Sequence, residues 1–176
     1  TNTGSSSSSS ALVINPTSTA YYRCKVTCSG NTQTSTAVQV IVNSTLAGGT
    51  YTINSALATG GGNYQTFGAA IAALSCGISG PITFNVQSGS GPYNEQIDIA
   101  AIPGSSAINT VTFNCNNVTM SFDATSSAYY ATLNLSGADY LRFNNLNVNS
   151  IGAANAWGIH FMTASDNNIF TNCNVT

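Results

Sequence analysis

The sequence predicts an all-β protein whose larger part is the start of a parallel β-helix, and three observations carry that prediction. The first is a repeat. Ala131–Val148 reads ATLNLSGADYLRFNNLNV and Gly158–Val175 reads GIHFMTASDNNIFTNCNV; with Asp139 set on Asp166 the offset is 166 − 139 = 27. Phe143 then falls on Phe170, Asn145 on Asn172, Leu146 on Cys173 and Val148 on Val175. A period of this length made of short segments marks stacked units, none of which buries its apolar face alone. The second is alternation. Leu133 and Leu135, Leu141 and Phe143, and Leu146 and Val148 each alternate with polar residues, giving three strands of period two per unit. The third is composition: β-branched residues, Asn and alternation oppose a helical reading of this region.

Inside the unit, inward parity changes between Phe143 and Leu146, so the chain bends at Asn144–Asn145. Ser136–Gly137–Ala138–Asp139 is turn chemistry. Turns of such a coil lie about 4.8 Å apart, so Asn145 over Asn172 predicts an amide ladder and Leu146 over Cys173 a continuous core. Leu133 matches Ile159 at an offset of 159 − 133 = 26, which places one extra residue in the turn that follows.

Taken in order, Thr1–Ser10 is a Ser-rich flexible tract, and Ala11–Asn15 a short apolar strand stopped by Pro16. Tyr21–Cys28 (YYRCKVTC) reads as a strand with Tyr22, Cys24, Val26 and Cys28 inward. A loop through Ser29–Gly30–Asn31 returns it along Ala37–Val42, with Val38, Val40 and Val42 inward. Asn43–Thr50 is a polar, Gly-containing joint. The division expected is therefore 1–44 for the hairpin module, 45–80 for a linker and capping segment, and 81–176 for the first coils. Thr50–Asn54 is a short strand and Gly60–Gly62 a mobile tract. Thr66 caps a helix over Phe67–Leu74, whose inward positions Phe67, Ala70, Ile71 and Leu74 fit the 3.6 period. Gly77 stops it. Terminal units of stacked repeats need a cap, and this helix suits that place. Pro81–Val86, Tyr93–Ile99, Val111–Cys115 and Val118–Phe122 are the first coil strands, with Phe113 and Val118 set like Phe143 and Val148.

Charged residues make up only 5% of the 176 residues, and the net charge is −2. That balance offers no electrostatic footprint for nucleic acid or anionic lipid. No apolar run approaches a membrane span and no stretch reads as a signal peptide. The chain begins and ends in mid-pattern, which reads as a segment of a longer secreted protein. Five cysteines among so few charges fit an oxidising, extracellular setting. Cys24 and Cys28, four extended residues apart (about 13 Å), are too distant to bond each other. Cys76, after the helix, and Cys115, in an early coil, are the plausible internal disulfide. Cys173 falls on a core position. No Cys/His spacing supports zinc, and no cofactor is called for.

Candidate chemistry is sparse. Of the acids, only Asp139 and Asp166 repeat, one rung apart, with Arg142 pointing outward just beyond. Polysaccharide lyases and hydrolases set carboxylates on adjacent coils, and two acids at this spacing approach the separation of a retaining glycosidase pair. Turn Asp residues bonded to their own backbone explain them as well. His160, between Ile159 and Phe161, faces solvent with no nucleophile in an elbow. Trp157, Tyr129, Tyr130 and Tyr140 either stack on sugar rings or cover the coil flank.

Two resemblances add to this reading. Residues 48–113 (GGTYTIN, NYQTFGAAIAALSCGISGPITFNV, YNEQI and IPGSSAINTVTF) resemble the entry to the right-handed, pectin-lyase-like β-helix of large secreted surface proteins of Bacteroidota. YYRCKVTC resembles the end of an immunoglobulin-like sandwich, with Tyr22 two residues before Cys24 as in the tyrosine corner of that fold. The resemblance implies export by type IX secretion to the outer cell surface, partners in the secretion and attachment machinery, and contact with surface polysaccharide. It implies a non-catalytic adhesin or filament segment. The alternative is a carbohydrate-active β-helix enzyme with its site mostly beyond this segment.

Overall fold

The computed structural model describes residues 13–124, 130–152 and 156–176. Strands dominate, with one short helix, and the chain divides into two compact units, Thr1–Ser44 and Thr45–Thr176. The expected Ser-rich tract lies outside the described residues, and Val13–Asn15 is not a strand.

In the first unit, β1 (Ala20–Tyr22) pairs antiparallel with β4 (Val38–Val40), and β2 (Lys25–Cys28) with β3 (Asn31–Thr34). Ser29 and Gly30 both take positive φ, 47° and 83°. That is the two-residue hairpin turn whose twist matches the flanking strands. It corrects the expected strand: the chain breaks at Arg23–Cys24, and the return begins at once on Asn31. The expected inward set is corrected too. Every residue of β2 and β3 is exposed, including Cys28 and Val26, and Cys24 is exposed beside them. Among the described residues of this unit, only Pro16, Ala20, Tyr22, Val40 and Val42 are half-buried. Among the described residues of this unit the two short ribbons have no facing sheet to bury against.

The second unit is β-helix-like, built of three parallel sheets visited in rotation. The first holds, from one edge to the other, β16 (Ile169–Thr171), β13 (Leu141–Asn144), β10 (Val111–Asn114), β7 (Ile82–Val86), β5 (Gly49–Ile53) and β6 (Asn63–Tyr64). The second holds β17 (Asn174–Val175), β14 (Asn147–Ser150), β11 (Thr119–Phe122) and β8 (Tyr93–Asn94). The third holds β15 (Trp157–Met162), β12 (Ala131–Ser136) and β9 (Ile97–Ala100). Period-two alternation builds the interior: Ile82, Phe84 and Val86 are buried, as are Val111 and Phe113, Leu133 and Leu135, and Leu141 and Phe143. Because the strands are parallel and in register, like stacks on like. Phe84, Phe113, Phe143 and Phe170 form a column with ring centroids 5.0, 4.8 and 5.0 Å apart and interplanar angles of 18°, 4° and 12°. Tyr51 and Tyr64 continue it towards the β6 edge.

The helix α1 (Phe67–Leu74) stands as expected, with Thr66 as its extended N-cap accepting from Ala69 N–H at 3.0 Å. Phe67, Ala70 and Leu74 are buried, and Ile71 packs on the same core. The first sheet runs two strands, β5 and β6, beyond β7, whereas the other two begin at β8 and β9. The helix packs against β6 and β9, which are edges of two different sheets. Gly77 has φ +91°, and a Cβ there would lie 2.6 Å from Pro103 O, so only glycine fits after the helix.

Several expectations are corrected in register. Tyr93–Ile99 is not one strand: it bends at Glu95–Gln96 into β8 and β9, because Glu95 turns to the helix and Gln96 donates to Ala131 O. Met120, not Val118, stacks on Val148, since the corner after Phe113 holds two left-handed residues, Asn116 and Asn117, where the next corner holds Asn145. Gly60–Gly62, read as mobile, has positive φ throughout and leads into β6, where Asn63 donates to three carbonyls, Asn54, Leu57 and Ala58. The amide ladder exists but one residue earlier than expected. Asn144 donates to Asn114 and Asn114 to Asn85, each at 2.9 Å, whereas Asn145 and Asn172 are left-handed corner residues.

Candidate functional site

The Asp139/Asp166 pair lies where turn stacks on turn. The 136–140 turn is clamped to the next one by a set of short bonds. Gly137 N–H donates to Ser165 Oγ at 2.9 Å, and the one Ser165 hydroxyl hydrogen serves Leu135 O at 2.8 Å or Met162 O at 2.7 Å. Leu141 N–H donates to Asn168 Oδ1 and Asn168 Nδ2 to Ala138 O, at 2.9 and 2.8 Å. Asp139 belongs to the same clamp, its carboxylate accepting from the Asp166 backbone N–H. The half-buried Asp139 is thus occupied by backbone, while Asp166 is exposed. Arg142 is exposed on β13 between Thr112 and Ile169, and no ion pair joins it to either acid among the described residues. The stacked turns bring Asp139 and Asp166 together, yet the turn chemistry uses Asp139 and leaves no paired acid and base among the described residues.

The remaining acids are also engaged or isolated. Glu95 accepts from Phe67 N–H at 3.2 Å and Gly68 N–H at 2.9 Å, which places a carboxylate on two free donors at the positive end of α1. Asp98 accepts from Ser136 Oγ at 2.7 Å. Asp123 is exposed. Among the described residues no three His, Cys, Asp or Glu gather as a metal site would require.

His160 corrects the solvent-facing expectation. It is half-buried within an aromatic group, its ring centroid 5.2 Å from Tyr130 and 4.8 Å from Trp157, and those two lie 4.6 Å apart. Its Nδ1 is buried without a hydrogen-bond partner, as is Asn134 Oδ1 on the next rung. Asp98 is a further rung away, about 9.6 Å from His160 across two strand spacings, so they make no acid–histidine dyad. Tyr129 lies outside the described residues, and Tyr140 is half-buried at a left-handed corner, φ 59°. Tyr130–Trp157–His160 was missed as a group because Tyr130 sits one rung before the other two, which share β15, at separations of 27 and 30 residues (157 − 130 and 160 − 130).

The expected Cys76–Cys115 bond is not made. Cys76 is exposed, beside Ser75 Oγ at 3.9 Å, whereas Cys115 is wholly buried and its Sγ donates to Phe113 O. A solvent-exposed thiol after the helix and one enclosed in the core do not meet. Burial pushes the Cys115 thiol strongly up, with Cys173 nearby adding to it. Cys173 is half-buried and packs on the core as expected.

With this geometry in hand, no protein-family model, no curated protein sequence and no solved structure matches the chain. Among the described residues no helix is long and apolar enough to cross a membrane.

Proposed function

We propose that the chain is a non-catalytic segment of a secreted, cell-surface adhesin or filament protein, in which a right-handed, pectin-lyase-like β-helix is the stiff spacer and display surface. The observation that carries this reading is the use made of the carboxylates. Glu95 caps a helix, Asp139 holds a turn and Asp98 holds a serine, so general acid–base chemistry has no free pair to act through. The Phe column and the Asn85–Asn114–Asn144 ladder support stiffness, since each rung is fixed to the next inside and out. The 1–44 unit is read as the tail of an immunoglobulin-like module on its YYRCKVTC hairpin. Export by type IX secretion, attachment to the outer surface and contact with surface polysaccharide follow from the same resemblance. The tests are direct. Protease shaving of intact cells should release peptides of this segment, and deleting residues 45–176 should lower attachment. Depolymerisation of an acidic polysaccharide, abolished by Asp139→Asn or Asp166→Asn, would instead establish the β-helix enzyme.

A further inference from the structure

We propose that a groove on the outer face of the β8–β11–β14 sheet binds a neutral oligosaccharide. This rests on the adhesin reading and names what its display surface holds. Tyr93, Met120 and Val148 point into the core from these strands, so their neighbours Asn94, Ser121 and Asn149 point outward and stack in register on three successive rungs. They floor a cavity of about 510 Å³ walled by the Gly89–Pro92 loop on one side and the Asn116–Asn117 corner on the other. That volume falls within the range of small-ligand sites.

The chemistry of the lining selects the ligand. None of the residues that line the groove is ionisable, so neither a phosphate nor a uronate gains from entering it. What it offers is side-chain amides with hydrogen-bonding capacity left over. Ser121 Oγ donates to Asn94 Oδ1 at 2.8 Å, and nothing among the described residues takes the Asn94 amide hydrogens. Asn116 Nδ2 donates to Val86 O at 2.6 Å, leaving its carbonyl oxygen. Thr176 Oγ1 reaches Asn149 Oδ1 at 3.5 Å, and nothing among the described residues takes the Asn149 amide hydrogens. Asn117 makes no side-chain hydrogen bond among the described residues; its backbone alone is engaged, the N–H donating to Asn145 O and the oxygen accepting from Asn147 Nδ2. An amide carries donors and an acceptor side by side, which matches the vicinal hydroxyls of a sugar, each both donor and acceptor. Pro92 and Val118 add apolar surface for a ring's C–H face. Two rung steps span about 9.6 Å, a length that suits two linked hexoses. At this corner, with φ of 49° and 60°, Asn116 bonds to Val86 O and Asn117 stays outside the ladder in which Asn85, Asn114 and Asn144 consume one another.

The test is titration calorimetry of the 176-residue chain with neutral gluco-, manno- and galacto-oligosaccharides, alongside an oligogalacturonate. At least one neutral oligosaccharide should bind saturably, with an affinity that does not fall as salt is raised, and the oligogalacturonate should bind more weakly. Asn117→Gly keeps the left-handed corner while removing the amide. Combined with Asn149→Ala it should weaken binding at least about tenfold, from the loss of two hydrogen bonds, with Trp157 emission unchanged. Asn94→Ala alone provides a second variant should the pair unfold, and should weaken binding severalfold. Saturation by no neutral sugar, full binding by the folded variants, or preference for the acidic chain would each overturn the proposal. Binding in solution judges the groove alone, whereas attachment of cells lacking residues 45–176 judges the adhesin reading, so either can fail without the other.

Discussion

Replacing Phe113 by alanine is the most searching perturbation of this architecture. Its ring is wholly buried, lies between Phe84 and Phe143 at 5.0 and 4.8 Å, and has Phe67 of the helix at 6.1 Å. Truncating a core phenylalanine costs about 3–5 kcal/mol, from lost transfer energy and the cavity left behind. Two stacked neighbours add about 0.5–1.5 kcal/mol each beyond area, so the cost should reach the upper part of that range, about 4–5 kcal/mol. Phe170 ends the same column, is only half-buried and has one stacked partner, so Phe170→Ala should cost about 1.5–2.5 kcal/mol. Phe113→Leu refills most of the space and should recover all but about 1–2 kcal/mol. Trp157 is the only tryptophan and lies in the second unit, so urea unfolding read by its emission reports that unit alone. Equal costs for Phe113→Ala and Phe170→Ala would refute the reasoning, because only a stack with an inside and an end makes them differ.

Other perturbations test the remaining contacts. Glu95→Ala should cost about 1–2 kcal/mol by stranding the Phe67 and Gly68 N–H groups, and Thr66→Ala about 1 kcal/mol; the loss of helical ellipticity at a lower temperature is the readout. Cys115 should resist a thiol reagent in the folded protein while Cys24, Cys28 and Cys76 react, as counted by stoichiometry before and after urea. Its raised pKa sets a sign: the folded state keeps the proton that the unfolded state gives up above about 9. Stability should therefore be unaffected below that pH and fall above it by up to about 1.4 kcal/mol per pH unit. Cys115→Ala should show a shallower decline by the same denaturation series, and an identical slope would contradict the burial argument.

The coil was legible where two consecutive rungs space their strands alike, Phe143 to Val148 and Phe170 to Val175 (148 − 143 and 175 − 170). Phe143 and Phe170 are 27 apart (170 − 143), whereas Phe84 to Phe113 is 29 and Phe113 to Phe143 is 30. Each rung contributes one phenylalanine to the column, but the corners differ, and a search for a fixed period sees only the last pair. The helix was legible because its signals are local: Thr66, a greasy face and Gly77. Its second cap was not, since Glu95 reaches it from 27 residues beyond Gly68 (95 − 68). The same holds for the turn clamp, where Ser165 and Asn168 read as ordinary loop residues until the neighbouring turn is placed beneath them. The hairpin failed differently: alternation promised a buried face to Val26 and Cys28, and alternation alone cannot supply the sheet that would bury it.

The scarcity of charge now has a physical reason. In a stack of parallel strands in register, whatever stands at one position stands about 4.8 Å from its counterpart on the next rung. Two like charges at that distance repel by about 1 kcal/mol even in water, and by more where protein displaces solvent. An amide in the same place does the reverse, since its donor meets the acceptor above it, as Asn85, Asn114 and Asn144 do. Each charged side chain found on a strand here has neutral neighbours: Arg142 lies between Thr112 and Ile169, and Asp98 next to Asn134. The one repeated acid, Asp139 with Asp166, sits in a turn, where Asp139 meets a backbone N–H and Asp166 meets water. An uncharged exterior is thus a condition of stacking before it is a sign of any ligand. The groove beside Asn117 differs because the Asn117 amide has no ladder partner among the described residues.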